Sequence, residues 1–469
     1  MKDNSRKNSG SLFELEGRPP LGKVATLGFQ HVVAAIVGIV TPAILVANVT
    51  GLGAADKTIL IQISLIVTAL ATLIQLYPIF GIGSGLPVII GMSFAYVPTL
   101  LAIGGQFDIA TIFGAQIVGG LAAFVVGIYI KQLRKFFPPI VTGTVIFTIG
   151  LSLYAVAVRY MAGGGGNPTF GSPKNWMVAF ITLGVVIFLT YFTKGITKLA
   201  AILIGMIVGY TISYFLGMVQ FDAVSNAKWF QLVGPMHFGV KFEISAIISM
   251  VIMYIVNAVQ AIGDISSLTI GGLDREATDK ELSGGIKANG VTSMISAFLG
   301  GLPSATYSQN VGIVTVNRVV NKMVFTFAAV IFLVAGLIPK FASILTTIPQ
   351  SVIGGATISV FAMITMTGVK MIASADLNPR NTAVVGLSVA LGVGVTSVAD
   401  SLAGFPVWVG TVFGSSSVVI ATLAAITLNL ILPKHIDTKN EDEEKTKRKD
   451  LTPINDVITP IEDIPSVKI

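Results

Sequence analysis

The sequence predicts an all-α polytopic membrane protein of fourteen transmembrane segments, arranged as two inverted repeats of seven. Three observations predict it. Of the 469 residues, 53% are hydrophobic and only 11% are charged, against about 25% charged in an ordinary soluble domain. Apolar runs long enough to cross a bilayer, about 20 residues at 1.5 Å each, recur along most of the chain. Two short Gly/Pro motifs also appear twice at a nearly constant spacing. The net charge of +7 does not point to nucleic acid, because the basic residues are not gathered with interleaved aromatics. Basic cytoplasmic loops explain the excess more simply. With no cysteine in the chain, disulfides, thiolate catalysis and Cys-ligated metals are excluded. His31, His237 and His435 lie far apart, in no zinc-binding pattern. No cofactor is expected.

In chain order, residues 1–23 carry Arg6, Lys7, Arg18 and Lys23. They are too polar for a signal peptide and read as a cytoplasmic tail. Strong apolar runs follow near 24–48, 57–79, 109–130, 138–158, 176–193, 197–218, 244–266, 322–338, 342–366, 381–399 and 411–432. Three weaker segments, 86–103, 284–300 and 303–319, are interrupted by Gly, Pro or polar residues. The stretch 433–469, rich in Lys, Glu and Asp, has the composition of a solvated tail. With both ends inside, the cytoplasmic loops carry Lys131, Arg134, Lys135, Lys194, Lys198, Arg275, Lys280, Lys287, Lys322, Lys370 and Arg380. The opposite loops carry fewer: Lys57, Arg159, Lys174, Lys228, Lys241 and Lys340. This bias favours an even number of passes in the plasma membrane with both termini cytoplasmic.

The repeat rests on two matches. Gly85-Leu86-Pro87 in segment three recurs as Gly301-Leu302-Pro303 in segment ten, 216 residues on. Phe137-Pro138-Pro139-Ile140-Val141-Thr142-Gly143 is similar to Ile348-Pro349-Gln350-Ser351-Val352-Ile353-Gly354, 211 residues on. A repeat of seven helices must run in opposite directions in its two copies. Interrupted helices at matching positions then mark the binding site of a secondary transporter.

The interrupted pair carries the polar residues. Leu86 to Tyr96 and Leu302 to Gly312 each read as a short extended piece followed by a half-helix. If the two meet near the midplane, their free N–H groups form a polar socket. Phe94 would offer a flat face there to a planar ligand. In segment eight, Asn257, Gln260 and Asp264 fall at i, i+3 and i+7, one helical face, and a carboxylate at that depth belongs inside the bundle. Gln30-His31 form a further polar pair in segment one. Asn289 and Asn310 read as amides that tie broken backbone to neighbouring helices, and Arg318 as a side chain that snorkels to the cytoplasmic surface.

On these residues the chain resembles the nucleobase–ascorbate transporters, the nucleobase:cation symporter-2 family. The signature Q/E/P-N-x-G-x-x-x-x-T-R/K/G is similar to Gln309-Asn310-x-Gly312-x-x-x-x-Asn317-Arg318. Gln30-His31, Gly91-Met92-Ser93-Phe94-Ala95 and Gly263-Asp264 extend the likeness over roughly residues 20–435, and Ala288-Asn289-Gly290 resembles the uracil permease branch. The resemblance implies a core domain (24–130 and 243–340), a gate domain (131–242 and 341–432), a homodimer, and an elevator-like movement of the core. It also implies substrate bound between Phe94, Gln260, Ser308 and Gln309. Asp264, His31, Asn257, Asn289, Asn310, Asn317 and Arg318 would serve coupling or support.

Gln309 together with Asp264 resembles the xanthine and uric acid permeases, whereas uracil permeases tend to have Glu and His there. A glutamine amide both donates and accepts, so it suits the adjacent C=O and N–H edge of an oxopurine. Two departures matter. Asn317 stands where the signature has Thr, and Gln260 stands where the family has a glutamate thought to bind substrate and take part in proton coupling. Gln260 cannot titrate, so coupling falls to Asp264, is weak, or uses another cation such as sodium. The expected activity is import of xanthine or uric acid. A uracil permease and an anion exchanger of related fold remain the alternatives. An enzyme is disfavoured for want of a nucleophile–base pair, a metal cluster or a phosphate loop.

Overall fold

The computed structural model describes residues 12–133, 136–231, 233–398, 400–414 and 416–433. Most of the C-terminal tail, residues 1–11 of the N-terminal one, and Arg134, Lys135 and His435 lie outside them. Fourteen helices of ten or more residues occur among the described residues. They are α1 (Leu21–Val49), α2 (Ala54–Leu76), α3 (Val97–Gln106), α4 (Ile109–Ile128), α5 (Pro139–Met161), α6 (Pro173–Phe192) and α7 (Ala201–Phe215) in the first half. The second half supplies α8 (Ile244–Leu273), α9 (Asp279–Leu299), α10 (Ser308–Asn317), α11 (Lys322–Gly336), α12 (Gln350–Ala373), α13 (Pro379–Ser397) and α14 (Ser417–Ile431). By length and composition seven of them, α1, α2, α4, α5, α6, α8 and α12, suffice to cross a membrane. The pair α11 and Pro339–Thr346, bent by 80°, makes an eighth candidate. The protein is therefore a multi-pass, mainly helical membrane protein.

Helix ends follow the local chemistry. Pro lies at the first turn of α3, α5, α6 and α13, where its missing N–H costs nothing. Asp108 caps α4 by accepting from the Thr111 N–H at 2.9 Å, and Thr278 with Glu281 forms a capping box at α9. Two sequence boundaries shift. The run 342–366 is not one helix, because Pro349 ends a short helix, Pro339–Thr346, and starts α12. The run 244–266 extends to Leu273, where Asp274 terminates α8 in a left-handed conformation (φ 52°).

Segments three and ten are broken in the same way. Strand β1 (Ile90–Met92) pairs antiparallel with β2 (Ser304–Thr306), in the register Ile90↔Thr306, Gly91↔Ala305 and Met92↔Ser304. Each strand leads into a ten-residue helix, α3 by way of a 3-10 turn over Phe94–Tyr96, and α10 directly. Away from water, every backbone group needs an internal partner. The strands supply one another's, and buried hydroxyls supply the rest. The Thr72 hydroxyl accepts from the Ile90 N–H at 3.2 Å, and the Ser293 hydroxyl accepts from the Ser304 N–H at 3.0 Å.

The helices fall into two sets by their neighbours. In one, α1 packs on α2, α3, α10 and α11, while α8 packs on α9, α10, α3 and α4; α2 meets α9 and α11, and α4 meets α9. In the other, α5 packs on α12, α13 and α14, while α12 packs on α6 and α7, α6 on α7, and α13 on α14. In lipid, close approach of small residues replaces the hydrophobic effect as the force joining helices. A Cβ on Gly120 would lie 2.7 Å from the Gly290 carbonyl oxygen, which is why α4 and α9 lie so close. The α5–α12 crossing is held at both ends by the repeated motif. Gly143 faces Ile372 and Gly368, and Gly354 faces Ala157, Tyr160 and Met161. At the N-terminal edge, the Leu12 and Leu15 carbonyls accept from the Val320, Asn321 and Lys322 N–H groups, so residues 12–17 strap the turn between α10 and α11.

Candidate functional site

A cavity of about 740 Å³ lies where the broken segments meet α8 on one side and α5 and α12 on the other. That is within the usual range of ~300–1,000 Å³ for small-molecule sites. Gln260, Gly263, Asp264 and Ser267 face it from α8, at spacings that place them on one side of the helix. Met92, Ser93 and Phe94 form its wall at the end of β1, and Thr306, Ser308 and Gln309 form the facing wall. Ile146 and Ile149 of α5 and Val360, Met363, Ile364, Thr367, Lys370 and Met371 of α12 close the remaining side.

Asp264 organises the polar side. It is buried and accepts two hydroxyl hydrogen bonds, from Thr306 at 2.5 Å and from Ser308 at 2.7 Å. Hydrogen bonds to a charged acceptor are short and strong. One carboxylate therefore fixes the last residue of β2 and the first residue of α10 relative to α8. The Gln260 amide nitrogen stands 3.5 Å from the Ser308 hydroxyl, at the limit of hydrogen-bonding distance, which leaves its amide open to the cavity. Gln309 is exposed to the same space. On the opposite wall the Phe94 ring meets Phe361 edge-on, 5.3 Å between centroids at 80°. That contact fixes the plane that Phe94 presents.

The structure brings Phe94, Gln260, Asp264, Ser308 and Gln309 around one cavity and separates the remaining residues singled out from the sequence. Asn257 is buried on α8 but does not line the cavity, and its amide nitrogen has no protein partner. The face expected to run from Asn257 to Asp264 enters the cavity only from Val259 onward. His31 is buried against Phe325, 4.3 Å between ring centroids. The Asn310 amide nitrogen reaches both His31 Nδ1 at 3.0 Å and the His31 carbonyl at 3.1 Å. Asn310 thus ties α10, the half-helix of broken segment ten, to α1. Asn289 ties nothing, since neither of its amide atoms has a protein partner. Asn317 is the exposed last residue of α10. Arg318 does not reach outward alone. In a left-handed conformation (φ 56°) it makes a bidentate pair with Asp274 at 3.0 and 3.1 Å, joining the ends of α8 and α10.

Sequence reasoning passed over three residues of this region. Thr306 bonds Asp264, and Lys370 lines the cavity although its place in the chain suggested a loop. Tyr307 donates its hydroxyl to the Met92 carbonyl. Its ring lies against Gly38 and Gly91, where a Cβ would come within 2.8 and 3.1 Å. A glycine three places before Phe94 was the available signal for that last contact. Among the described residues no three His, Asp or Glu side chains gather as a metal would need.

Comparisons with known proteins bear on the family and the fold. A family model described as "Permease family" matches residues 22–401. The chain is 35% identical over 430 residues to the xanthine permease of Bacillus subtilis, covering 91% of this chain and 98% of that one. It is 36% identical over 408 residues to the uric acid permease PucK of the same organism, covering 86% and 94%. The xanthine permease XanP of Escherichia coli is 31% identical over 443 residues, covering 91% and 96%. Among solved structures, the transmembrane domain of a cyanobacterium bicarbonate transporter, BicA, aligns with a TM-score of 0.52 at 15% identity, covering 86% of this chain and 97% of that one. The murine anion transporter Slc26a9 aligns with a TM-score of 0.58 at 11% identity, covering 87% and 68%. These two likenesses concern the fold alone. The chain belongs to the permease family matched here, the nucleobase–ascorbate transporters that its signature resembles, and is a membrane transporter rather than an enzyme.

Proposed function

We propose that the protein imports a purine base, xanthine or uric acid, across the plasma membrane by an elevator-like movement coupled to a cation. The observation that carries this reading is the cavity itself, which faces a flat aromatic ring, Phe94, with two amides, Gln260 and Gln309, and the hydroxyl of Ser308. A planar base between them would stack on the ring while its polar edge exchanges hydrogen bonds with the amides. The relatives named above are xanthine and uric acid permeases, which supports the same substrate class. Asp264 is the acidic side chain within reach of a coupling proton or sodium ion, and Asn257, Asn289, Asn310, His31, Asn317 and Arg318 support the frame.

The neighbour pattern supports fourteen crossings in two inverted sevens. Replacing each helix by the one seven places on turns α1–α2 into α8–α9, α1–α11 into α8–α4 and α2–α11 into α9–α4. The same exchange turns α5–α13 into α12–α6, α5–α14 into α12–α7 and α6–α7 into α13–α14, and all of these are observed contacts. On this reading α1–α4 with α8–α11 form the moving core, and α5–α7 with α12–α14 form the gate. Pairing of two copies into a homodimer would hold the gate still. Both termini are assigned to the cytoplasm by the charge bias of the loops.

Uptake of labelled xanthine and uric acid in cells lacking their own permeases tests the proposal. Expected is saturable uptake of one or both, suppressed by a protonophore if the proton is the coupling ion. Uracil outcompeting both purines, or uptake of none of the three, would overturn it. Gln260→Glu in the same assay is expected to steepen the pH dependence.

A further inference from the structure

We propose that Lys370 makes this cavity select bases that carry a negative charge over neutral bases of the same shape. The inference rests on the nucleobase reading of the cavity and adds to it a residue and a charge preference. Lys370 lies in the last turn of α12 and borders the cavity. Of the described residues lining that space, it is the only cation and Asp264 the only acid. The two charges are not equivalent. Both carboxylate oxygens of Asp264 already accept hydroxyl protons, from Thr306 and Ser308, and the residue is 7% exposed. The six ion pairs found among the described residues do not include Lys370, and its side chain is exposed to the cavity mouth.

The rest of the lining adds to the positive side. Helix α10 begins at Ser308, which lines the cavity, so the positive end of its dipole lies at that wall. Gln260 takes a position at which a carboxylate would repel an anion. A mouth lined by low-dielectric walls concentrates the field of an unpaired ammonium and raises the local concentration of anions. The plain alternative is a lysine that snorkels to water at the helix end and does nothing for selectivity. The geometry favours the first reading because Met363, Thr367 and Lys370 descend one face of α12 into the same space as Gln309 and Phe94.

The experiment measures inhibition constants for urate, an anion at neutral pH, and hypoxanthine, a neutral purine, against uptake of labelled xanthine. It compares the native protein with Lys370→Gln and Lys370→Arg. The ratio of urate to hypoxanthine constants is expected to rise about tenfold in Lys370→Gln and to stay near the native value in Lys370→Arg. In the native protein, raising ionic strength is expected to weaken urate inhibition more than hypoxanthine inhibition. This second measurement decides the matter if Lys370→Gln fails to reach the membrane. An unchanged ratio in Lys370→Gln, or equal salt dependence of the two inhibitors, overturns the inference while leaving the nucleobase reading intact. If no nucleobase is transported or competes, both fall.

Discussion

The two broken segments share a backbone plan and differ in chemistry. Around β1 the side chains are mostly apolar, and the long-range bonds, from Thr72 and Tyr307, reach only backbone; the side-chain bond there is local, the Ser93 hydroxyl accepting from the Ala95 N–H within its own turn at 3.2 Å. Around β2 support comes from a distance. Asp264 of α8 grips Thr306 and Ser308, and His31 of α1 holds Asn310. One half therefore offers a flat wall and the other a polar one, on equivalent scaffolds. The shared backbone plan positions both walls of the cavity, and a few side chains decide what each wall can do.

Removing the long-range grip should matter most. Asp264→Ala leaves the buried Thr306 hydroxyl without its acceptor, at about 1–3 kcal/mol, and releases the exposed Ser308 hydroxyl from α8. Uptake is expected to fall about a hundredfold per molecule in the membrane, whereas Ser93→Ala, which removes only a local cap worth about 1 kcal/mol, should cost far less. Similar rates for the two variants would erase the contrast between the walls. Phe94→Leu keeps bulk but removes the aromatic face, and about a tenfold rise in KM with little change in kcat is the expected kinetic signature. A fall in kcat alone would assign Phe94 to movement rather than binding.

Tyr307→Phe tests the bond that crosses between the segments. Loss of its hydroxyl leaves the Met92 carbonyl one partner short, and a decrease of about 1 kcal/mol in stability is expected, read as a lower unfolding temperature in detergent. Smallest is Arg318→Ala. Its pair with Asp274 is 59% and 68% exposed, so less than about 1 kcal/mol is at stake. A large destabilisation there would mean that the clasp between α8 and α10 carries more of the frame than its exposure suggests.

Much of the fold could be read from the sequence because hydrophobic runs and Gly/Pro punctuation act locally. The strand-then-helix character of segments three and ten was legible from Pro87 and Pro303, each of which interrupts its segment near the start. The break at Pro349 was hidden inside an apolar run, where composition alone does not distinguish one helix from two. Site residues were legible where a polar side chain stood out at depth, as Asp264 and Gln309 do. Thr306 did not stand out, because a threonine in a strand is unremarkable until its acceptor is known. Lys370 was misjudged for a geometric reason: sequence gives distance along a helix but not how far a cavity extends beside it. Asn289 and Asn310 looked alike, yet one is bonded to His31 and the other has no protein partner, a difference set by tertiary neighbours alone.

The pairing of β1 with β2 has a thermodynamic consequence. Met92, Ser93 and Phe94 are joined through backbone to Thr306, Ser308 and Gln309, so in the proposed elevator movement these contacts would travel as one cradle. A ligand seated there would meet the same core groups whichever side the cavity opens to. On that proposal, a difference between its affinity on the two faces of the membrane would arise from the other wall, from Ile146, Ile149 and the α12 side chains, among them Phe361 that orients Phe94. Asymmetry of uptake and release would thus be written in α5 and α12.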